Sequence, residues 1–321
     1  MRNWRFPRAA VLGQFSPVPR IVLALLLLTV PACHATDEAY KLFARTNLVA
    51  WCIVPFDAKK RGPEERAEML QKLGFGKFAY DYRAEHIPTF DAEVEACRRH
   101  GIELSAWWFP TELNAEARQI LAVLKRHNLH SQLWVMGGGG PVRTPEEQAA
   151  RVASEARRIK PVAEAAGAIG CTVALYNHGC WFGEPDNQIE IIELLRQQGV
   201  GNVRIVYNLH HGHDHVDKFP ELLARMKPHL AVININGTVR NGDKAGKKIL
   251  PLGLGELDFA LLKTIRGSGW HGPIGILNHT DEDAEARLAD NLDGLDQLVA
   301  RLEGRPASPR PALRSWKEPS R

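Results

Sequence analysis

The sequence has little net charge outside its first 35 residues, and this argues against a nucleic-acid enzyme. Of its 321 residues, 41 are basic and 37 are acidic, and four of the basic residues lie in residues 1–35, which leaves 37 of each sign. A chain with balanced charges lacks the basic field that nucleic-acid binding requires. We therefore expect no nucleic-acid partner.

Cysteine is also scarce, and its spacing excludes the usual structural zinc motifs. The cysteines are Cys33, Cys52, Cys97, Cys171 and Cys180. No two of them stand in the CxxC-type pairs that zinc motifs use. We expect the four that follow residue 35 to be buried free thiols, because a chain of this length can bury a core without disulfides.

No apolar run is long enough to cross a bilayer. The most apolar stretch, Ile21–Val30, has ten residues, whereas a transmembrane helix needs about 20. It follows four arginines and precedes small residues, which is the pattern of a secretory signal. We therefore predict that residues 1–35 direct export, so that the protein is periplasmic, extracellular or attached to a membrane by a lipid anchor. Cleavage after Ala35 would release a soluble protein, and lipidation of Cys33 would give the only membrane contact.

From residue 47 onward, short β-branched runs alternate with longer amphipathic ones. The predicted strands are Leu48–Pro55, Lys77–Tyr82, Ile102–Phe109, Gln132–Met136, Thr172–Asn177, Val203–Asn208, Leu230–Asn236 and Pro273–Asn278. Eight strand–helix units in a row indicate a parallel sheet that closes on itself. We therefore predict an α/β fold with a single (β/α)8 barrel over residues 36–303. The basic, proline-rich residues 304–321 are predicted to be a disordered tail.

The open, doubly wound alternative lacks its expected signal. Such a sheet would carry a glycine-rich phosphate turn after the first strand, but the sequence VPFDAKKRGPEER there has one glycine. The run GGGG at residues 137–140 follows the fourth strand without GxGxxG spacing. We interpret it as room for a close approach of the backbone.

Polar and aromatic residues collect where the predicted strands end, which is where barrels of this type carry their active sites. Amides both donate to and accept from hydroxyl groups, and indole faces cover the apolar face of a sugar ring. We therefore predict a small-molecule carbohydrate as the partner. The predicted substrate-binding residues are Asp81, Trp108, Asn177, Asn208, Asn236 and Asn278.

Four histidines fall within six residues after the sixth strand, and two more follow the fifth and eighth. A single histidine at such a position is often only structural, and strand alternation implies that one residue of each pair Trp107/Trp108 and His210/His211 merely packs. A cluster this dense favours a functional role for some members. We predict that His178 and His211 are catalytic, with His279 as a third candidate.

Four sequence strings resemble the sugar phosphate isomerase/epimerase group of the xylose-isomerase-like (AP endonuclease family 2) TIM barrels. They are LYNHGCWFGEP at 175–185, VYNLHHGHD at 206–214, NING at 234–237 with KILPLGLGELD at 248–258, and GPIGILNH at 272–279. The resemblance covers about residues 47–303. It implies the barrel fold and an isomerase, epimerase or lyase activity on a sugar.

Members of that family hold a divalent metal with Glu, Asp, His and Glu from strands five to eight. The matching positions here are Tyr176 or Asn177, Asn208, Asn234 or Asn236, and Leu277 or Asn278. All four ligands are therefore absent, although the GxGxxD motif survives at Gly253–Asp258. A neutral amide cannot act as a general base, and amides alone do not favour Mg2+ or Mn2+.

Three interpretations remain open from the sequence. In the first, His178, His211 and His279 bind Zn2+ rather than Mg2+ or Mn2+, with water as the fourth ligand. In the second, the site is metal-free and a histidine transfers a proton beside a carbonyl or assists elimination. In the third, the protein is an exported carbohydrate-binding barrel without catalysis.

Overall fold

The computed structural model describes residues 41–314, and eight parallel strands form its centre. The strands are β1 (Leu48–Trp51), β2 (Lys77–Tyr80), β3 (Glu103–Phe109), β4 (Gln132–Val135), β5 (Thr172–Tyr176), β6 (Val203–Asn208), β7 (Leu230–Ile235) and β8 (Ile274–Leu277). Each strand pairs with the next, and β8 returns to β1 in the register Leu48↔Ile274. The predicted (β/α)8 barrel is confirmed.

Helices follow the strands and cover the barrel. They are α1 (Pro63–Leu73), α2 (Phe90–Arg99), α3 (Ala115–Arg126), α4 (Pro145–Gly167), α5 (Cys180–Gly183), α6 (Pro185–Gln197), α7 (Phe219–Met226), α8 (Asp258–Gly267) and α9 (Ala284–Leu302). Side-chain caps start several of them; the Asn114 carboxamide, for example, accepts from the Ala117 N–H at 2.8 Å. Among residues 41–314, no helix combines the length and apolar character that a membrane span needs.

Strand β1 ends four residues earlier than the sequence predicts. Cys52 has φ of +56°, a left-handed conformation that turns the chain out of the extended path. Ile53 and Val54 are therefore buried in the loop that follows and do not extend the ladder. This early turn brings the start of the β1 loop over the open end of the barrel.

Two apolar layers hold the barrel together. Small and large side chains alternate inside it, and this inner layer contains Val49, Trp51, Ala79, Ala106, Trp134, Ala174, Tyr176, Val206, Val232 and Leu277. The outer layer packs strands against helices. As alternation predicts, Trp107 belongs to the outer layer, where its ring lies edge-on to those of Tyr80 and Phe90, whereas Trp108 faces inward.

Three of the four cysteines in the described residues are buried free thiols, as expected, but Cys180 is exposed. It begins the four-residue helix α5, which lies at the surface end of the β5 loop. The expectation of burial was wrong at this position, because it rested on the length of the chain and not on where each cysteine lies in the fold.

Both ends of the sequence carry predictions that the structure reaches only in part. Residues 1–35 lie outside the described residues, so the export signal and lipidation of Cys33 stay predictions. Residues 304–314, the first part of the predicted tail, follow α9. There the Arg314 guanidinium donates to the Asp290 carboxylate at 2.9 Å, and the Gln297 amide donates to the Ser308 carbonyl.

Candidate functional site

A cavity of about 90 Å3 opens at the C-terminal ends of the strands. It is lined by Trp51, Cys52, Phe56, Asp81, Arg83, Trp108, Tyr176, His178, His211 and His279. These residues lie at or after six of the eight strands, so the barrel assembles the site from distant parts of the chain. Five of the predicted site residues are among them: Asp81, Trp108, His178, His211 and His279.

The histidines form the most polar wall of this cavity. The rings of His178 and His211 lie 4.3 Å apart, and that of His279 packs 3.9 Å from Phe56. Burial lowers the pKa of His178 and His279, and burial together with the neighbouring His178 lowers the pKa of His211 to about 2. The imidazoles are therefore uncharged near neutral pH.

His210 has a different position from His211. It is 1% exposed, does not line the cavity, and has no hydrogen-bond partner for either ring nitrogen among the described residues. Its ring lies 3.8 Å from that of His211. One histidine of this pair faces the cavity and the other packs behind it, as expected, although both lie in the 3-10 helix Leu209–His211 beyond the end of β6.

Lys248 brings a positive charge toward these histidines from the loop at residues 236–257. Its charge contributes to lowering the pKa of His178, His211 and His279. The loop holds its position in part because the Lys248 carbonyl accepts a hydrogen bond from His213 Nε2 at 3.0 Å. Sequence reasoning missed Lys248, which is 13 residues beyond the end of β7.

Asp258 anchors the same loop. Its carboxylate accepts from the backbone N–H groups of Thr238 (2.7 Å), Gly253 (2.7 Å) and Gly255 (3.0 Å). A Cβ at Gly255 would lie 2.1 Å from the Thr238 nitrogen, so only glycine fits there. The GxGxxD motif thus builds a backbone cradle for one buried carboxylate, and this cradle fixes the loop that carries Lys248.

Asp81 is the cavity's buried acid. It is 2% exposed, its Oδ1 accepts from the Val54 N–H at 3.2 Å, and its Oδ2 has no partner among the described residues. Burial raises the pKa of Asp81 to about 7, against the lowering effect of Arg83. Asp81 can therefore both take up and release a proton near neutral pH.

Three aromatic residues form the floor and one side of the cavity. Trp51 Nε1 donates to Tyr176 Oη at 3.3 Å, and Trp108 lies edge-on to Tyr176 with 5.1 Å between ring centres. Trp108 was predicted from its strand-end position. Trp51 and Tyr176 were not predicted as binding residues, although alternation along β1 and β5 points both side chains inward.

The four asparagines predicted to bind substrate are not in the cavity wall. Asn177, Asn208, Asn236 and Asn278 are at most 1% exposed. Asn208 Nδ2 donates to Asn177 Oδ1 at 2.7 Å, and Asn234 Nδ2 donates to Asn208 Oδ1 at 2.7 Å. Asn177, Asn208 and Asn234 thus form a buried amide chain, in which only Asn234 Oδ1 has no partner among the described residues. Burial keeps the four predicted asparagines out of the cavity wall, so these positions do not support contacts to substrate hydroxyls.

The residues present do not fit the metal site of related barrels. The amide chain occupies positions that the resemblance matches to Glu, Asp and His ligands, and the described residues contain no group of three His, Cys, Asp or Glu side chains that could hold one ion. His178 and His211 are neighbours, but Arg83 and Lys248 add positive charge that opposes a dication. The structure therefore offers no basis for a step through zinc at His178, His211 and His279.

Comparisons with known proteins agree on the fold. The model of the protein family described as xylose isomerase-like TIM barrel matches residues 67–298. The search of curated proteins gave no match.

Solved structures with the same barrel include two sugar epimerases. One is 3-keto-D-glucoside 4-epimerase from E. coli, with 16% identity, TM-score 0.52, and coverage of 74% of this chain and 93% of that one. Another is D-psicose 3-epimerase in the presence of D-fructose, with 14% identity, TM-score 0.54, and coverage of 79% and 98%. The IOLI protein with a bound zinc atom has 13% identity, TM-score 0.61, and coverage of 79% and 98%.

Proposed function

Because this chain belongs to the family of xylose isomerase-like TIM barrels, we propose that it is a sugar isomerase or epimerase that moves a proton at the carbon beside a carbonyl group. The names of two structural neighbours, both sugar epimerases, support this class of reaction. One observation carries the proposal: the buried Asp81, whose pKa is raised to about 7, and the His178–His211 pair face the same cavity.

The barrel topology gives these groups opposite positions. Asp81 follows β2 and His211 follows β6, and three strands lie between them in either direction around a closed ring of eight. A sugar between them would present one face to the carboxylate and the other to the imidazoles. This arrangement suits epimerisation, in which the proton leaves from one face and another returns from the opposite face.

In the proposed reaction, the Asp81 carboxylate takes the proton from the carbon beside the carbonyl. The electron pair of the broken C–H bond forms a C=C bond, and the carbonyl electrons move to oxygen to give an enediolate. A ring N–H of His178 donates to that oxygen. The new negative charge raises the proton affinity of His211, which passes a proton from solvent to the opposite face, and Asp81 returns its own to solvent.

A second function has one observation in its favour. The pKa of about 2 makes His211 a weak base in the free protein, as in a site that only binds carbohydrate through neutral imidazoles and aromatic faces. Binding without proton transfer is therefore the outcome against which the enzyme proposal is tested.

We expect His178→Ala and His211→Ala each to lower proton exchange by at least about a hundredfold. The measurement is deuterium uptake from D2O into a panel of keto-sugars, followed by NMR. His127→Ala is the matched control, because His127 pairs with Asp91 and does not line the cavity. If the unsubstituted protein catalyses no deuterium exchange in any sugar that it binds, the enzyme proposal fails and the protein is a carbohydrate-binding protein.

Chelation tests separately whether the cavity residues use a divalent metal ion. We expect dialysis against EDTA to leave deuterium exchange within about twofold of the untreated rate, since proton transfer is assigned to side chains alone. A loss that added zinc restores would return the three-histidine zinc site to consideration. The IOLI protein, which binds zinc, is a suitable positive control for chelation.

A further inference from the structure

A second depression adjoins the histidine-lined cavity and shares two residues with it. This groove, of about 300 Å3, runs between the loops after β2, β3 and β4. Arg83 and Trp108 line both spaces. The two spaces are therefore adjacent, with Trp108 and Arg83 at their common boundary.

The volumes indicate that a substrate uses both parts. Small-molecule sites usually enclose about 300–1,000 Å3, whereas the histidine-lined cavity has about 90 Å3. The smaller space has no room for more than one sugar ring. Together with the groove, the site reaches the volume of an ordinary ligand pocket.

The chemistry of the groove matches a sugar ring. Trp108 and Met136 supply apolar surface, which suits the C–H face of a pyranose. Tyr82 Oη donates to the Glu116 carboxylate, whose other oxygen has no hydrogen bond among the described residues. Carboxylates of this kind accept hydrogen bonds from hydroxyl groups.

Arg83 adds donors at the junction. Its Nη1 donates to the carbonyls of Asp81 and Tyr82, at 2.9 and 2.8 Å, which fixes the guanidinium between the two spaces. Nη2 and Nε make no hydrogen bond within residues 41–314. They are placed to donate to an oxygen that joins a ring in the cavity to a ring in the groove.

We infer that the substrate is a glycoside of at least two sugar rings, with the reacting ring at the histidines and the second ring in the groove beside Trp108. The inference rests on the proposed function for the identity of the reacting ring. The groove itself is argued from its own volume and lining, so binding can be tested apart from catalysis.

The test compares one-ring and two-ring sugars by calorimetric titration of the full chain. Glucose is paired with cellobiose, maltose and gentiobiose, and at least one disaccharide is expected to bind about tenfold more tightly than glucose. Ala84→Trp fills the groove without touching the histidine-lined cavity and should remove that advantage while leaving glucose binding unchanged. Ala168→Trp, at the other end of the barrel, is the control and should keep it.

The outcomes separate the two proposals. Equal binding of all four sugars, no binding at all, or an Ala84→Trp variant that loses glucose and disaccharide alike would overturn the groove assignment. A disaccharide advantage that Ala84→Trp abolishes supports the assignment, even where deuterium exchange is absent and the proposed function fails. If one-ring keto-sugars exchange deuterium but no disaccharide binds more tightly than glucose, the proposed function stands and the second-ring assignment is overturned.

Discussion

Asp81→Asn is expected to lower deuterium exchange into keto-sugars by about a thousandfold, because the variant keeps the shape of the side chain and loses its proton affinity. The pH dependence should identify the group. Since the pKa of Asp81 is raised to about 7, the base form increases as pH rises through 7, and the natural chain should gain activity there and then level off. The residual activity of the variant should lack that rise.

The same substitution should stabilise the fold at alkaline pH. An aspartate in an unfolded chain has a pKa of about 3.9, and the folded value is higher, so folding favours the protonated form. That contribution is complete below about pH 4 and is lost as pH rises through 7. At pH 8 the free energy of unfolding of the variant should therefore exceed that of the unsubstituted protein by about a few kcal/mol. This difference should shrink toward pH 5.

Urea denaturation at the two pH values provides the stability measurement. Asp214→Asn is the matched control, because Asp214 is an exposed acid on the same face of the barrel. A variant that keeps more than about a tenth of the exchange rate would remove Asp81 from the reaction. A variant that is less stable at pH 8 would instead make the carboxylate a structural acceptor for the Val54 N–H.

Asp258→Ala is expected to destabilise the protein by about 3 kcal/mol or more. The substitution leaves the N–H groups of Thr238, Gly253 and Gly255 without their acceptor. Each buried N–H group without a hydrogen bond lowers the free energy of unfolding by about 1–3 kcal/mol. The loop at residues 236–257 should also loosen. Trypsin should then cleave faster after Lys247 or Lys248, which urea denaturation and timed proteolysis would measure together.

Two further variants sharpen this experiment. Asp258→Asn keeps one acceptor oxygen and should fall between the alanine variant and the natural chain. Asp243→Asn, an exposed acid in the same loop, should change neither stability nor cleavage. An alanine variant with an unchanged unfolding midpoint would show that the GxGxxD motif does not hold the loop.

The sequence alone predicted the barrel and the meeting of distant histidines. Eight alternating strand and helix patterns left one closed topology, and parallel strands then deliver their ends to a single rim. That rule brought His178, His211 and His279 into one cavity although they are far apart in the chain. No knowledge of loop paths was needed, because each residue lies within three positions of a strand end.

Residues beyond that reach were not predictable in the same way. Lys248 approaches the histidines only because the Asp258 cradle folds its loop back over the barrel. The role of Asp81 depends on burial, which sequence does not report for a strand-end acid. Asn177 was predicted from its strand-end position alone; it follows Tyr176, whose side chain faces inward, so alternation turns Asn177 away from the cavity, where its side chain meets Asn208.

The chain of amides through Asn177, Asn208 and Asn234 determines how a single carboxylate would be tolerated at these positions. Changing Asn208 alone to aspartate would remove the Nδ2 donor to Asn177 Oδ1 and set a carboxylate against that oxygen, without a counter-ion. Asn208→Asp by itself should therefore destabilise the fold. A carboxylate-bound cation at this place would require replacements at several of these amides together, because a single buried carboxylate would lack a counter-ion.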